Sequence, residues 1–164
     1  MHFICASGLD GIEPSGVDTI VCAGMGGDLI RKILTAAPWI RDERYTLILQ
    51  PQSGAADFRK WLFAEGFSLL EENPVWEDGH MYFVMKLRYT GAGTEVTPGR
   101  LYLTEPMLRS DSEDLPRYIQ GVLEHLEKTI NGMQKATKQN EKLDFYLQAR
   151  QEITEMRDSL GKGF

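Results

Sequence analysis

Four residues, Gly24-Met25-Gly26-Gly27, close an apolar run from Val17 to Ala23 and pass directly into the helix-like Asp28-Leu29-Ile30-Arg31-Lys32-Ile33-Leu34. The pattern is a buried strand delivering a glycine-rich turn to a helix start. In open α/β sheets such a turn lies at the carboxyl end of a strand, where glycines let a ligand approach the backbone closely. It is not the dinucleotide fingerprint, because the third glycine is missing from its place and no acidic residue about 20 positions on ends a second strand. Read from its residues alone, the segment is either a ligand-facing corner or a structural tight turn.

Other residues with chemical potential are scattered. Cys5 and Cys22 stand apart, with no Cys-x-x-Cys pair and no histidines at metal-ligand spacing, so neither a disulfide framework nor a metal site is expected. Cys22 falls within the strand pattern, where a small buried hydrophobe belongs. His2 is terminal, His80 and Tyr82 flank a hairpin turn, and His125 lies between Glu124 and Leu126 without a second ligand at helical spacing. Asp18 must be exposed at the strand's start or paired, and Asp28 suits the positive end of a helix dipole. Arg31, Lys32, Arg59, Lys60, Arg88, Arg100 and Arg109 are positive charges of the main body, while Lys128, Lys135, Lys138 and Lys142 gather at one end of a helical region.

The elements that position these residues follow from periodicity. Tyr45 to Leu49 is a second apolar strand, stopped at Gln50-Pro51-Gln52 because proline cannot continue the ladder. Ala55, Phe58, Trp61 and Leu62 then recur at helical spacing, with Gly66 placed to end the helix. Strand, helix, strand, helix implies a parallel sheet with right-handed crossovers. Phe67 to Trp76 and Met81 to Leu87 flank Asp78-Gly79 as a hairpin, which gives that sheet an antiparallel end. Residues 90–100 read as a loop, and Leu101-Tyr102-Leu103 as a short extended piece. Beyond residue 114, Leu115, Tyr118, Ile119, Val122, Leu126, Ile130 and Met133, then Leu143, Tyr146, Leu147, Ile153, Met156 and Leu160, mark two amphipathic helices turned back by the polar stretch Gln134 to Asn140.

The 164 residues fit one globular domain with an appended subdomain, and their apolar runs are too short to span a bilayer. The start lacks the pattern of a signal peptide, so a cytoplasmic location without membrane attachment is expected. Net charge is -6, with 10 Lys+Arg against 17 Asp+Glu in residues 1–114 and 8 against 7 in residues 115–164. A nucleic-acid partner would therefore be met by a local basic patch and not by the overall field. Only nine residues precede the turn before the first recognisable strand, so part of the sheet is expected to be absent. That would leave a strand edge available for another chain, including self-association.

Ala23-Gly24-Met25-Gly26-Gly27 with Leu29-Ile30-Arg31, followed by Leu47-Ile48-Leu49-Gln50-Pro51-Gln52, resembles the bacterial tRNA (adenine-22-N1)-methyltransferases of the TrmK type. The resemblance continues through Phe58 to Leu62, Glu77-Asp78-Gly79 with Tyr82, and the two C-terminal helices. It implies a class I Rossmann-like methyltransferase using S-adenosyl-L-methionine on tRNA, followed by a helical coiled coil. The α/β fold is expected as an incomplete Rossmann-like sheet, parallel strands plus an antiparallel terminal hairpin, with residues 1–90 as the C-terminal portion of the methyltransferase domain. Residues 91–114 then connect it to an antiparallel helical hairpin at 115–160.

The same resemblance implies site roles. Gly24, Met25 and Gly26, with Gln50, Pro51 and Gln52, match the catalytic and base-binding corner, and the amides are suited to the edge of an extruded adenine. Gln52 stands where the family has asparagine. Ser7, Gly8 and Leu9, with Ala23, Gly24 and Met25, match cofactor-binding positions, but Ser7 replaces an acidic residue and forfeits a charge-assisted hydrogen bond. The family's main glycine-rich cofactor motif has no counterpart here. Weak or absent cofactor binding by this chain alone is therefore expected. A non-catalytic RNA-binding or scaffold protein is the alternative, and a small-molecule methyltransferase a third possibility.

Overall fold

A computed structural model of the chain describes residues 3–135 and 142–161. His2, Lys138 and residues 136–140 of the expected interhelical turn lie outside the described residues. The chain divides into two compact units, residues 1–72 with 82–95, and residues 73–81 with 96–164.

The first unit is built on β1 (Thr19–Met25), α1 (Gly27–Ala36), β2 (Thr46–Pro51) and α2 (Ala55–Ala64), with most of the hairpin β3 (Phe67–Glu77) and β4 (His80–Tyr89). Strand order is β1-β2-β4-β3, with β1 parallel to β2 and β2 antiparallel to β4. The parallel start and antiparallel end are those expected. Pairing puts Ile20, Leu47 and Leu87 in one row and Cys22, Leu49 and Met85 in the next, all buried. Ile30 and Leu34 of α1 and Phe58 and Leu62 of α2 are buried too, and the two helices touch each other, so both cover this same face.

Arg59 is not the surface cation its charge suggests. It is 1% exposed, and its Nε donates to Glu72 Oε1 at 2.9 Å while its guanidinium lies 4.6 Å from the Phe83 ring centre. A charge can be buried at this depth only when paired and hydrogen-bonded. The pair ties α2 to β3. Gly66 ends α2 with φ +88°, the left-handed conformation expected of a helix-ending glycine, and its carbonyl accepts the Thr90 N–H at 2.9 Å.

The second unit holds the hairpin tip, a 3-10 turn at Gly99–Leu101, and helices α3 (Glu105–Leu108), α4 (Leu115–Lys135) and α5 (Leu143–Leu160). The extended piece expected at Leu101-Tyr102-Leu103 is instead the end of the 3-10 helix followed by a turn, leading into α3. Hydrogen bonds to the Pro98 and Gly99 carbonyls close this turn, and Thr104 then caps α3, its Oγ1 accepting the Met107 N–H at 3.3 Å with Pro106 in the first turn; Leu101, Leu103 and Met107 are buried. α4 and α5 pack together, with Arg150 Nη1 donating to Glu127 at 2.8 Å. Tyr118 Oη donates to the Tyr102 carbonyl at 2.6 Å, and Gly99 N–H to Glu152 at 2.7 Å, so each long helix grips the connecting segment. No helix among the described residues is long and apolar enough to cross a membrane.

Candidate functional site

The carboxyl ends of β1 and β2 are laced together. Pairing runs Ala23 with Gln50 and then Met25 with Pro51, so Gly24 is an extra residue bulged out of β1. Gly24 has φ +77°, and a Cβ on it would meet no atom within 4 Å. Backbone conformation, not crowding, is what demands glycine there. Its N–H donates to Gln50 Oε1 at 2.8 Å. Beyond it, Gln52 N–H donates to the Met25 carbonyl at 2.8 Å, and Gly27 N–H to the Ser53 carbonyl at 3.0 Å. Pro51 is buried and has no N–H to give, which ends the ladder.

These bonds bring together all six residues of the expected catalytic corner. Ala23, Gly24 and Gln52 are exposed, and Met25, Gly26 and Gln50 are partly so. Because only the oxygen of a side-chain amide accepts, the Gln50 amide is oriented with Oε1 on Gly24 and its Nε2 group left as a donor. The residue's remaining capacity is chiefly that of a donor.

Two residues outside the sequence reading also shape the corner. Ser53 supplies the carbonyl that fixes Gly27, and its Oγ would lie 3.0 Å from a Cβ on Gly26. Gly54 then takes φ +67° ahead of α2. The Ser-Gly pair after Gln52 is a turn signal that was open to reading. α1 and α2 start side by side here, each with an acid in its first turn, Asp28 and Asp57, as the helix dipole favours. A cavity of about 60 Å³ lies between Asp28, Arg31, Ser53 and Asp57, with Arg31 3.3 Å from Asp28.

The remaining candidates fall elsewhere. Ser7-Gly8-Leu9 forms a turn in which the Ser7 carbonyl accepts the Asp10 N–H at 3.1 Å, and Gly8 is held against Ile33 in the body of α1. No hydrogen bond among the described residues joins it to the Gly24 corner. Asp18 is exposed just before β1, His80 is exposed with Nδ1 2.9 Å from the Asp78 carbonyl oxygen, and His125 is exposed on α4. Cys22 is buried one residue before Ala23, and burial pushes its thiol pKa up.

A nucleoside cofactor needs an enclosure of roughly 300–1,000 Å³. At the corner Ala23, Gly24 and Gln52 are open to solvent. The exposed glycine turn fits one edge of such a cofactor.

The family described as TrmK, tRNA (adenine(22)-N(1))-methyltransferase, matches residues 1–157. The Bacillus subtilis protein named tRNA (adenine(22)-N(1))-methyltransferase is 41% identical over 78 residues, covering 48% of this chain and 33% of that protein. A Mycoplasma pneumoniae protein, provisionally named a tRNA methyltransferase, is 30% identical over 138 residues, covering 82% of this chain and 63% of its own. A Streptococcus pneumoniae protein, provisionally a tRNA (m1A22) methyltransferase and crystallised in complex with S-adenosyl-L-methionine, superposes with a TM-score of 0.68 at 26% identity. That match covers 92% of this chain and 65% of the other. The chain thus spans from a third to just under two thirds of the length of these relatives. With a family match over nearly its whole length and a strand-end corner built from the matching residues, this chain belongs to the TrmK family.

Proposed function

We propose that this chain contributes the base-binding and methyl-transfer corner of a cytoplasmic, S-adenosyl-L-methionine-dependent tRNA adenine N1-methyltransferase. The observation that carries the reading is the 2.8 Å bond from Gly24 N–H to Gln50 Oε1, which fuses the glycine turn and the Gln-Pro-Gln strand end into one rigid corner. Such rigidity suits the reaction. The cofactor supplies an electrophilic methyl group, adenine N1 already carries a lone pair, and the task left to the protein is alignment. Gly24 keeps the backbone low at the place where base and cofactor meet, and Gln50 Nε2 is turned to donate to a ring nitrogen of an extruded adenine. Gln52, exposed beside it, is a second amide for the same base.

A non-catalytic RNA-binding reading is favoured by one observation, the solvent exposure of Ala23, Gly24 and Gln52 at the corner. Three measurements on the full chain separate the two: calorimetry with S-adenosyl-L-methionine, gel retardation of a tRNA transcript, and mass spectrometry for methyladenosine. The methyltransferase reading expects retardation, cofactor binding weaker than micromolar, and methyladenosine at high cofactor concentration that disappears in Gln50→Leu. Retardation without methylation favours the binding module. Neither retardation nor methylation removes both.

A further inference from the structure

β4 runs beside β2 and brings an aromatic side chain to the level of the Gly24 corner. Its residues Phe83, Met85 and Leu87 are buried on the face of the sheet packed by α1 and α2. Strand side chains alternate between faces, so Tyr82, Val84 and Lys86 stand on the opposite one. That is also the face of Gln50, because β2 buries Leu47, Leu49 and Pro51 and turns Ile48 and Gln50 the other way. Pairing sets Leu87 with Leu47 and Met85 with Leu49, and both strands continue past that pair, β2 to Pro51 and β4 back to His80. The same antiparallel register carries Val84 to the level of Gln50 and Tyr82 to the level of Gln52.

The other strand aromatics of the first unit lie on the helix side. Phe67 of β3 meets Tyr89 of β4 with ring centres 5.3 Å apart and Trp61 of α2 at 6.2 Å, and Phe83 lies against the Arg59 guanidinium of α2. Among the described strand residues of that unit, Tyr82 alone puts a ring on the face of the two glutamines. A base drawn out of its helix loses its stacking neighbours, and enzymes that act on such a base replace them with aromatic or apolar side chains while polar groups read its edge. Gln50, with Oε1 held by the Gly24 N–H, and Gln52 are edge-reading groups. Amides do not supply the flat surface. Partly exposed Tyr82 does, with Val84, 40% exposed, as an apolar neighbour level with Gln50.

We propose that Tyr82 is the base-stacking residue of this corner, its ring lying against the face of the extruded adenine whose edge meets Gln50 and Gln52. The proposal rests on the methyltransferase reading and adds to it a division of labour. Every base has a π-face, so stacking on Tyr82 holds the base without selecting it. Selection falls to the amides, which meet the hydrogen-bonding edge. Loss of the ring therefore changes how the bound base is held, while the contacts that attach the rest of the tRNA remain.

Fluorescence of a base analogue tests this without cofactor. A tRNA transcript carrying 2-aminopurine in place of adenine 22, the position in the family's description, is bound by the full chain and by its Tyr82→Trp and Tyr82→Leu variants, with gel retardation fixing the protein concentration that saturates each. A stacked aromatic ring quenches 2-aminopurine, and a leucine does not. The expected result is a Tyr82→Leu complex about twofold or more brighter than the parent complex, with Tyr82→Trp as dim as the parent. Equal emission from the parent and Tyr82→Leu complexes overturns the proposal. If Tyr82→Leu melts below the parent in urea, Tyr82→Val, which suits a strand, takes its place in the same comparison. Failure of the methyltransferase reading looks different: a parent chain that does not retard the tRNA removes that reading and the proposal together, whereas a parent that retards and methylates it, with emission indifferent to the residue at position 82, removes the stacking role alone.

Discussion

Gln50 does two jobs with one amide, and substitution can separate them. Gln50→Glu keeps an oxygen for the Gly24 N–H and removes both donors, whereas Gln50→Leu removes acceptor and donors together. Because Gly24 is exposed, water can replace the lost partner, so Gln50→Leu is expected to cost only about 0.5–1.5 kcal/mol in a urea melt, with Gln50→Glu closer to the parent. The methyltransferase reading expects both variants to lose tRNA methylation, and a Gln50→Glu protein that folds normally yet methylates at the parent rate would remove the donor role. Cys22 gives a pH signature on the other side of the same strand. Burial raises its folded-state pKa above the ordinary 9.0, so the neutral thiol is the form the fold prefers. That contribution is fully present below the unfolded pKa and is lost as pH rises through the folded one. The stability gap between the parent and Cys22→Ala is therefore expected to narrow from pH 7 to pH 10 in urea melts. A gap that widens over that range contradicts the assignment.

Glycines at the scale of the strand-turn-helix element are not equivalent. Gly24→Ala places a side chain in open space but in a left-handed backbone, a cost of about 1–2 kcal/mol. Gly27→Ala meets the Ser53 carbonyl oxygen at 3.0 Å and Phe58 Cβ at 3.1 Å, so α1 and α2 must part. The expected loss is about 1–3 kcal/mol, with the Gly27 to Ser53 hydrogen bond weakened as well. Hydrogen exchange at Gly27 and Gln52 checks this: faster exchange at both sites follows Gly27→Ala, while Gly24→Ala leaves Gly27 protected. This element was legible in the sequence because glycine and proline punctuate it locally, at Gly24 to Gly27 and at Pro51. Two other features were not. That β4 inserts between β2 and β3 is decided by long-range pairing, which no local pattern encodes, and the Thr104 cap was hidden because Leu101 to Leu103 alternates like a strand. Arg59 reads as one more surface cation until its depth and its partner Glu72, 13 residues away, are seen.

At the scale of the molecule, that same pair anchors one of two separate cores. Arg59, Glu72 and Phe83 all belong to the first unit, as does Trp61, whereas Trp76 belongs to the second. Glu72→Ala removes the carboxylate paired with a buried guanidinium and is expected to destabilise the first unit by about 3–5 kcal/mol, while the double substitution Arg59→Met with Glu72→Leu removes both charges and recovers most of that loss. The contrast matters because a cavity alone would make the double variant the worse of the two. Thermal unfolding read separately through Trp61 and Trp76, each retained in a background where the other and Trp39 are Phe, locates the effect. The Trp61 transition falls in Glu72→Ala and rises again in the double variant, and the Trp76 transition shifts less than the Trp61 transition in both. Equal shifts of the two transitions would mean that the units melt as one cooperative body. Separate melting would let the second unit, with Lys128 and Lys135 exposed on α4, be examined for tRNA retention while the Gly24 corner is unfolded, dividing affinity for the nucleic acid from the chemistry done on it.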